Sequence, residues 1–293
     1  MIDYRLLAAL AAVMEQGGFD RAAKRLHLTQ SAVSQRIRLL EQQLGAPVLQ
    51  RSTPPELTEL GLRLNNHYQQ VRQLESGLGL DAMLEQDLQV IRLTTNADSL
   101  ATWLPTALAA IAPLQRVQYD LVVEDQDVGL KRMKRGEVMA CLCSSPRAVN
   151  GGKVSHLGVM RYRALISPNL LQSFAAPLDK KTLAQIPCLV FSRDDQLQHR
   201  FLRELMGVSA PQQIHLCPSS EGFVQMALAG LGFGMMPELQ VQQYLASGQL
   251  VDLVPGQHLD IPLYWHYWQT ESPLMKSLRH AVEQQAKQVL LSL

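Results

Sequence analysis

One segment of the chain, residues 20–44, carries polar side chains at a spacing suited to binding nucleic acid. On a helical wheel one side consists of Ser31, Gln35, Arg38 and Gln42, all of which can donate hydrogen bonds. The opposite side is apolar and consists of Val33, Ile37, Leu40 and Leu44. This pattern predicts two short helices joined by a tight turn, the second of which presents a polar, cationic face. A helix-turn-helix module places such a face in the DNA major groove.

Basic residues are concentrated in the same part of the chain. The window 21–51 holds six basic residues and one acid, Glu41, whereas the whole chain holds 27 basic and 26 acidic residues. This local excess favours contact with phosphates, and polar side chains early in the second helix would read base edges. The predicted DNA-binding residues are Arg21, Gln30, Ser31, Ser34, Gln35, Arg36, Arg38 and Arg51. An ordinary amphipathic helix pair with a solvated face is the alternative that the pattern leaves open.

Two further elements must position this face. Gly45 is placed to end the second helix, and a strand-like pair at 48–49 before a proline turn at 53–55 predicts a short β-wing that carries Arg51. A long stretch without proline follows, from residue 56 to 104. Its apolar stripe has the heptad-like spacing 4, 3, 3 and 4 and consists of Leu64, Tyr68, Val71, Leu74 and Leu78. The stripe predicts pairing with a second copy of the helix, and packing on its own domain is the alternative.

Strand-like and helix-like segments alternate beyond residue 88, which predicts an α/β domain with parallel sheets covered by helices. The predicted strands are 88–95, 117–124, 138–144, 189–191, 214–217 and 263–268, with a long apolar run at 154–167. The predicted helices are 99–112, 128–135, 196–205, 222–231 and 272–291. In such a domain small ligands bind at the carboxyl ends of strands, near helix N-termini.

Two strand-to-helix junctions, residues 94–99 and 218–221, offer groups that suit a small charged ligand. Hydroxyl and backbone N–H groups could hold a carboxylate and nearby acids a cation, so an amino acid with a basic side chain would use both sets. The predicted ligand-binding residues are Asn96, Asp98, Ser99, Glu124, Asp125, Ser220 and Glu221. Helix capping by Ser99 and Ser220, beside solvated acids, is the competing explanation.

The residue pattern does not favour an enzyme or a metalloprotein. The four cysteines form no Cys-x-x-Cys pair, and the eight histidines lack the spacing of a metal site. No nucleophile elbow or Walker loop occurs, so we predict no catalytic residue, no metal site and no cofactor. The start of the chain lacks the pattern of a signal peptide, and no apolar stretch is long enough to span a membrane, which predicts a cytoplasmic protein.

The first 65 residues resemble a known family. Their pattern closely follows the N-terminus of LysR-type transcriptional regulators at Ala22-Ala23, Leu26, 28–35, Ile37, Leu40-Glu41, Leu44-Gly45, Leu57-Thr58 and Gly61. Many members carry Phe-x-Arg in the wing, where this chain has Leu49-Gln50-Arg51. Further similarity, to a branch of the family that senses intracellular lysine and arginine, lies in residues 96–104, 123–125, 135–138, 219–225, 245–248 and 263–266.

The resemblance implies a specific domain organisation. It consists of a winged helix-turn-helix domain at 1–57, a linker and dimerisation helix at 58–87, and a two-lobed, periplasmic-binding-protein-like α/β domain at 88–293. Lobe I would contain residues 88–162 and 268–293, and lobe II residues 163–267. The resemblance further implies a homodimer or tetramer that binds double-stranded DNA, meets RNA polymerase at the promoter, and responds to L-lysine or L-arginine as its effector. The controlled genes would serve amino-acid export or biosynthesis.

A rival from a different class is a cytosolic amino-acid-binding protein or enzyme that uses the N-terminal helices only to dimerise. Salt dependence separates the two. A regulator is expected to lose DNA affinity steeply as salt rises, because each phosphate contact releases counterions. The rival is expected to bind no duplex even at low salt.

Overall fold

The computed structural model describes residues 2–50, 52–76, 89–111, 117–124, 129–174, 178–208 and 210–292. Its N-terminal domain is a three-helix unit with a wing. The helices are α1 (Tyr4–Gln16), α2 (Phe19–Arg25) and α3 (Gln30–Leu44), and the wing is an antiparallel pair, β1 (Leu49–Gln50) with β2 (Glu56–Leu57). The predicted helix pair and β-wing are therefore confirmed. Arg51 lies outside the described residues.

Local sequence determines where α3 begins and ends. The Thr29 hydroxyl accepts a hydrogen bond from the Ala32 backbone nitrogen at 3.2 Å, which caps the first turn. Gly45 ends the helix with a φ of 69°, a left-handed conformation that glycine adopts without strain. The apolar side of α3 is buried in a core shared with α1 and α2. Packing of this one face leaves the polar face of α3 towards solvent.

The helix after the wing, α4 (Glu59–Ser76), packs on the N-terminal domain of its own chain. Gly61 permits the close approach, because a Cβ at this position would collide with the carbonyl oxygen of Val48. Leu64 and Tyr68 then join the core of the N-terminal domain. Leu64 is thus buried within its own chain, which is the alternative that the sequence left open. Tyr68 is only partly covered, so pairing with a second copy stays a prediction for the rest of the stripe. Leu74 is exposed, and the predicted linker beyond residue 76 lies outside the described residues.

The C-terminal domain alternates strands and helices. Its described strands are β3 (Gln89–Thr95), β4 (Val117–Val123), β5 (Ala140–Cys143), β6 (Gly152–Ile166), β7 (Cys188–Val190), β8 (Ile214–Leu216), β9 (Gly234–Pro237), β10 (Val251–Asp252) and β11 (His258–Trp268). Its described helices are α5 (Ala97–Ala101), α6 (Leu104–Ala109), α7 (Gly129–Lys134), α8 (Pro168–Gln172), α9 (Lys180–Gln185), α10 (Leu197–Arg200), α11 (Ser220–Leu228), α12 (Glu238–Ala246) and α13 (Pro273–Val289).

Two long strands connect the two ends of this domain. β6 and β11 run antiparallel to each other, and β11 also pairs with β5 at one end while β6 pairs with β9 and β10 at the other. Beside β5 lie the parallel strands β3 and β4, and β7 pairs in parallel with β8. The α/β class is confirmed, but the sheets are mixed and not purely parallel. The reason is that the chain passes between the two ends along β6 and returns along β11.

Two predicted helices differ from the structure, and several short elements were not predicted. The predicted helix 99–112 is divided into α5 and α6, because Pro105 lies in the first turn of α6 and has no N–H with which to continue α5. The predicted helix 196–205 changes after α10 into a π-helical turn (Phe201–Leu205). β9 was not predicted, because residues 234–237 contain no β-branched or aromatic residue, and α8, α9, α12 and β10 were not predicted either. Within the described ranges, no helix is both long and apolar enough to cross a membrane.

Candidate functional site

The polar face of α3 is available for contact with another molecule. Gln30, Ser31, Gln35 and Arg38 are exposed. Ser34 and Arg36 are half-buried at its edge. No described residue pairs with the guanidinium of Arg38, which leaves all its donors free for an outside acceptor. The structure therefore brings together six of the eight predicted DNA-binding residues on one helix.

The acid in this region is turned away from that face. Glu41 Oε1 accepts hydrogen bonds from the backbone nitrogens of Val48 at 2.9 Å and Leu49 at 3.5 Å. Its carboxylate thus holds the wing against α3, and its negative charge does not oppose the basic surface. Arg21 is exposed on α2, but its Nη2 donates to the carbonyl oxygen of Gly17 at 3.2 Å. Part of that guanidinium is consequently used to end α1.

A second candidate site is a cavity of about 530 Å³ in the C-terminal domain, here called the cleft. It lies where strands β3, β4, β5 and β7 end, and α11 and α12 face it from the other side. Its size is within the usual range for small-molecule sites. Polar residues that line it include Asn96, Asp98, Glu124, Lys131, Ser220 and Gln240. Phe223 and Met235 supply apolar wall.

Asp98 and Ser220 join the two predicted junctions into one site. The Ser220 hydroxyl donates to Asp98 Oδ1 at 2.8 Å and lies 3.0 Å from Gln240 Oε1. The Tyr162 hydroxyl donates to Asp98 Oδ2 at 2.8 Å, which fixes the carboxylate from the β6 side. Because Asp98 lies in the first turn of α5, the helix dipole also stabilises its negative charge. The arrangement holds an anionic group ready inside the cleft.

Two buried amide groups in the cleft have unused donors. Asn96 Oδ1 accepts from the Ser99 backbone nitrogen at 2.8 Å, but Asn96 Nδ2 is buried with no hydrogen-bond partner among the described residues. Gln240 Nε2 is in the same state. A buried donor without a partner costs about 1–3 kcal/mol, so a ligand that brings an acceptor would recover this free energy. The acceptor best suited to two N–H donors is a carboxylate or a carbonyl oxygen.

Glu124 is the second acid of the cleft and is held by a cation. Arg132 Nε donates to Glu124 Oε1 at 2.6 Å, and Arg132 Nη1 donates to Glu137 Oε2 at 2.8 Å. The hydrogen bond to Glu124, with a smaller effect of Glu137, raises the pKa of Arg132 above its ordinary value. Arg132 is thus a permanent cation between two carboxylates, one of which faces the cleft.

Two predicted ligand-binding residues, Ser99 and Glu221, do not line the cleft. Ser99 is fully buried behind it, where its backbone nitrogen is capped by Asn96. Glu221 is exposed and its Oε1 accepts a hydrogen bond from Gln225 at 3.1 Å, so it points along α11. Asp125 lies outside the described residues. Asn96, Asp98, Glu124 and Ser220 do line the cleft.

Sequence reasoning missed a third strand end on the cleft wall. Phe191 and Asp194 follow β7, and Arg200 lies at the end of α10. The rule that points to the ends of β3 and β8 applies equally to β7, and it would have found the first two. Asp195 also lines the cleft, but its oxygens accept from the backbone nitrogens of Phe191 and Leu197, which is a structural role. Nothing in the sequence signalled Gln240, because α12 was not predicted.

Comparison with known families assigns both domains. Residues 4–62 match the family model described as bacterial regulatory helix-turn-helix protein, lysR family, and residues 85–287 match the LysR substrate binding domain. The HTH-type transcriptional regulator ArgP of Pseudomonas aeruginosa strain PAO1 is 54% identical over 95% of this chain and 94% of its own length. ArgP of Pseudomonas fluorescens strain Pf0-1 is 50% identical over the whole of both chains.

Solved structures agree with this assignment over the full length. ArgP from Mycobacterium tuberculosis superposes with a TM-score of 0.80 at 36% identity and covers 100% of both chains. Full-length LysG from Corynebacterium glutamicum, solved with bound effector Arg, has a TM-score of 0.69 at 30% identity and covers 99% of this chain and 100% of its own. Since these relatives are regulators and not enzymes, and both family models match, the chain belongs to the LysR family of bacterial helix-turn-helix transcriptional regulators.

Proposed function

We propose that this regulator senses a basic amino acid, L-arginine or L-lysine, in the cleft and adjusts its DNA binding in response. The observation that carries the proposal is the Asp98–Ser220 contact, which assembles acids and unused amide donors in one cavity. A basic amino acid presents the complementary groups, namely a carboxylate, an α-ammonium and a side-chain cation. The likeness to LysG, which was solved with bound effector Arg, supports the same ligand class.

Each group of the ligand has a proposed partner. The α-carboxylate accepts from Asn96 Nδ2 and Gln240 Nε2, the two buried donors that lack a partner among the described residues. The α-ammonium pairs with Asp98, whose oxygens are already oriented by Tyr162 and Ser220. The side-chain cation pairs with Glu124, which lies at the end of β4 on another wall of the cleft.

The DNA-binding part of the proposal rests on α3 and the wing. We assign base reading to Gln30, Ser31, Ser34, Gln35 and Arg38, and phosphate contact to Arg21, Arg36 and Arg51. The proposed organisation is residues 1–57 for DNA binding, 58–87 as linker and 88–293 for effector binding, in two lobes. Two chains or four would place pairs of α3 helices on one operator, beside RNA polymerase. The proposed targets are genes of amino-acid export or biosynthesis, in the bacterial cytoplasm where the DNA lies.

A ligand series tests the proposed sensing. Thermal unfolding of the full chain is measured with L-arginine, L-lysine, L-citrulline and agmatine. A ligand at a hundred times its Kd stabilises the folded state by about 2.7 kcal/mol, so the melting temperature rises for a true effector. We expect stabilisation by arginine or lysine. We expect much less with citrulline, which lacks the side-chain charge, and with agmatine, which lacks the carboxylate. Equal stabilisation by arginine and citrulline would contradict the assignment of Glu124.

A gel-shift titration tests the other half of the proposal. A duplex selected by the full chain from a random library is titrated at several salt concentrations, with and without L-arginine. We expect the affinity to fall steeply with salt, with a slope that reports several phosphate contacts. The same titration with arginine should give a different Kd. Failure to bind any duplex at low salt would favour the amino-acid-binding rival.

A further inference from the structure

The short helix α7 lines the cleft, and the turn that follows it contacts α4, the helix that packs on the DNA-binding domain. Lys131 of α7 lines the cleft, and the next residue, Arg132, holds Glu124. At its other end α7 continues into a turn that hydrogen bonds back to the helix, with Gly136 N donating to Met133 O at 2.9 Å and Glu137 N to Arg132 O at 3.0 Å. The turn therefore moves with α7 as one unit.

Helix α4 contacts that turn directly. Asn66, only 4% exposed, donates from Nδ2 to the carbonyl oxygen of Gly136 at 2.5 Å. Arg135 Nη1 lies 3.5 Å from Glu59 Oε1 on α4 and 3.7 Å from Glu137 Oε1. The Arg135–Glu59 pair is largely exposed and contributes little. Of these two contacts with the turn, the Asn66–Gly136 hydrogen bond is the buried one, and α4 also packs against β3 and α13 of the cleft domain.

The same helix is fixed to the DNA-binding domain. Leu64 lies in the core of that domain, and Gln69 Nε2 donates to Glu15 Oε1 of α1 at 2.9 Å. Arg72 Nη1 forms an ion pair with the same carboxylate oxygen at 3.2 Å. We therefore expect the N-terminal domain to move together with α4, because α4 shares its core and is hydrogen bonded to α1.

We infer that α7 and Asn66 form the coupling path of this regulator, in which Arg132 detects the cation of the ligand and Asn66 passes the movement of the 135–137 turn to the DNA-binding domain. This inference rests on the function proposed above and concerns its regulation. Arg132 is shared between Glu124 and Glu137. A ligand cation at Glu124 competes with Arg132 and leaves it paired with Glu137 alone. On this inference the arrangement in which Arg132 bonds both carboxylates gives way, when the ligand binds, to one in which it bonds Glu137 alone, and α7 shifts with it.

The path explains why the ligand should be basic. A neutral amino acid can fill the donor and acceptor groups around Asp98, but it brings no charge to Glu124 and leaves Arg132 in place. A cationic side chain supplies the differential interaction that any ligand needs in order to shift an equilibrium between two states. Asn66 and Arg132 are positioning residues. Arg132 acts through Glu124, and Asn66 acts through the turn that holds Gly136.

Hydrogen–deuterium exchange on the full chain tests the path. With L-arginine we expect altered exchange in the cleft segments 96–99 and 220–225, in α7 with its following turn (residues 129–138), and in residues 59–70 of α4. With L-citrulline we expect no change in 59–70. Altered exchange in the cleft but none in 59–70 of the unmutated protein would overturn the inference. Absence of any arginine-dependent change, in the cleft as well, would overturn the proposed function and this inference with it.

Asn66→Ala provides the matching functional test, with Asn65→Ala as its control. Asn65 is the neighbouring asparagine on the same helix, and its Oδ1 has no hydrogen-bond partner among the described residues. In the control we expect L-arginine to change the Kd for a selected duplex by a coupling factor of about 5- to 150-fold. In Asn66→Ala we expect that factor to fall below about two-fold, with calorimetric arginine affinity of the DNA-free protein unchanged. Full retention of the DNA response in Asn66→Ala would overturn the inference.

Discussion

The polar face of α3, which we propose contacts DNA, and the cleft are assembled in opposite ways. The surface lies on α3, fifteen consecutive residues whose polar side follows from helical periodicity alone. The cleft depends on a hydrogen bond between Asp98 and Ser220, which are 122 positions apart. The proposed DNA-binding face of this regulator can therefore be recognised from a short stretch of sequence, residues 30–44. The cleft, in contrast, forms only when strand ends that are distant in the sequence are brought together.

The largest expected effect concerns the cleft. Asp98→Asn should weaken L-arginine binding by about 30-fold or more, because truncating one partner of a desolvated charge pair costs about 2–5 kcal/mol. DNA affinity without amino acid should stay the same, and calorimetry with gel shift measures both. Glu221→Gln is the matched control, since this exposed acid of the other junction, 218–221, does not line the cleft. An equal loss of L-arginine affinity in the two variants would contradict the assignment of Asp98, and not Glu221, to the ligand.

The next effect belongs to α3. Arg38→Ala should reduce affinity for a selected duplex by about 5- to 150-fold, because one direct base contact contributes about 1–3 kcal/mol. Arginine binding should be unchanged, since the DNA surface and the cleft share no residue. Arg203→Ala, another exposed arginine, serves as control in the C-terminal domain and should leave the duplex Kd unaltered. An unchanged Kd for Arg38→Ala would remove Arg38 from the interface.

A third change separates the stability of the two domains. Gly61→Ala should destabilise the N-terminal domain by about 1–3 kcal/mol, because its methyl group would overlap the carbonyl oxygen of Val48. All three tryptophans, Trp103, Trp265 and Trp268, lie in the C-terminal domain. Tryptophan fluorescence should therefore report an unchanged transition while circular dichroism reports an earlier one. Gly18→Ala, where a Cβ meets nothing within 4 Å, is the control. Coincident early transitions would mean that the domains unfold together.

The smallest effect refines the cleft itself. Ser220→Ala removes one hydroxyl group from Asp98 and should weaken L-arginine binding by about 2- to 12-fold, the equivalent of a hydrogen bond of about 0.5–1.5 kcal/mol. Ser247→Ala changes an exposed serine at the C-terminal end of α12 and should leave the affinity unchanged. Calorimetry compares the two. A loss in Ser220→Ala as large as that in Asp98→Asn would show that the hydroxyl, and not the charge, dominates ligand binding.

Particular residues show how far sequence reasoning reached. Thr29 and Gly45 marked both ends of α3 correctly, because capping depends on one side chain and one backbone angle. For the apolar stripe of α4 the same reasoning favoured a second copy of the helix and left the chain's own domain as the alternative. Heptad spacing says that Leu64 and Tyr68 need an apolar partner, but it cannot say that the partner is the core of their own domain. It also placed Glu221 in the site. Glu221 follows Ser220 in the chain, but adjacency in the sequence does not tell where a side chain points, and that of Glu221 lies along α11.

The local features follow from the order of the residues alone: the polar face of α3, its caps, the wing, the alternation of an α/β domain and the strand ends where a ligand could bind. These depend on the properties of residues a few positions apart. Long-range packing brings the ends of β3 and β8 together, leaves donors of Gln240 and Asn96 without a partner among the described residues, and places Asn66 against the turn that follows α7. Such contacts are set by how the long strands β6 and β11 carry the chain across the domain and back, which no local pattern encodes.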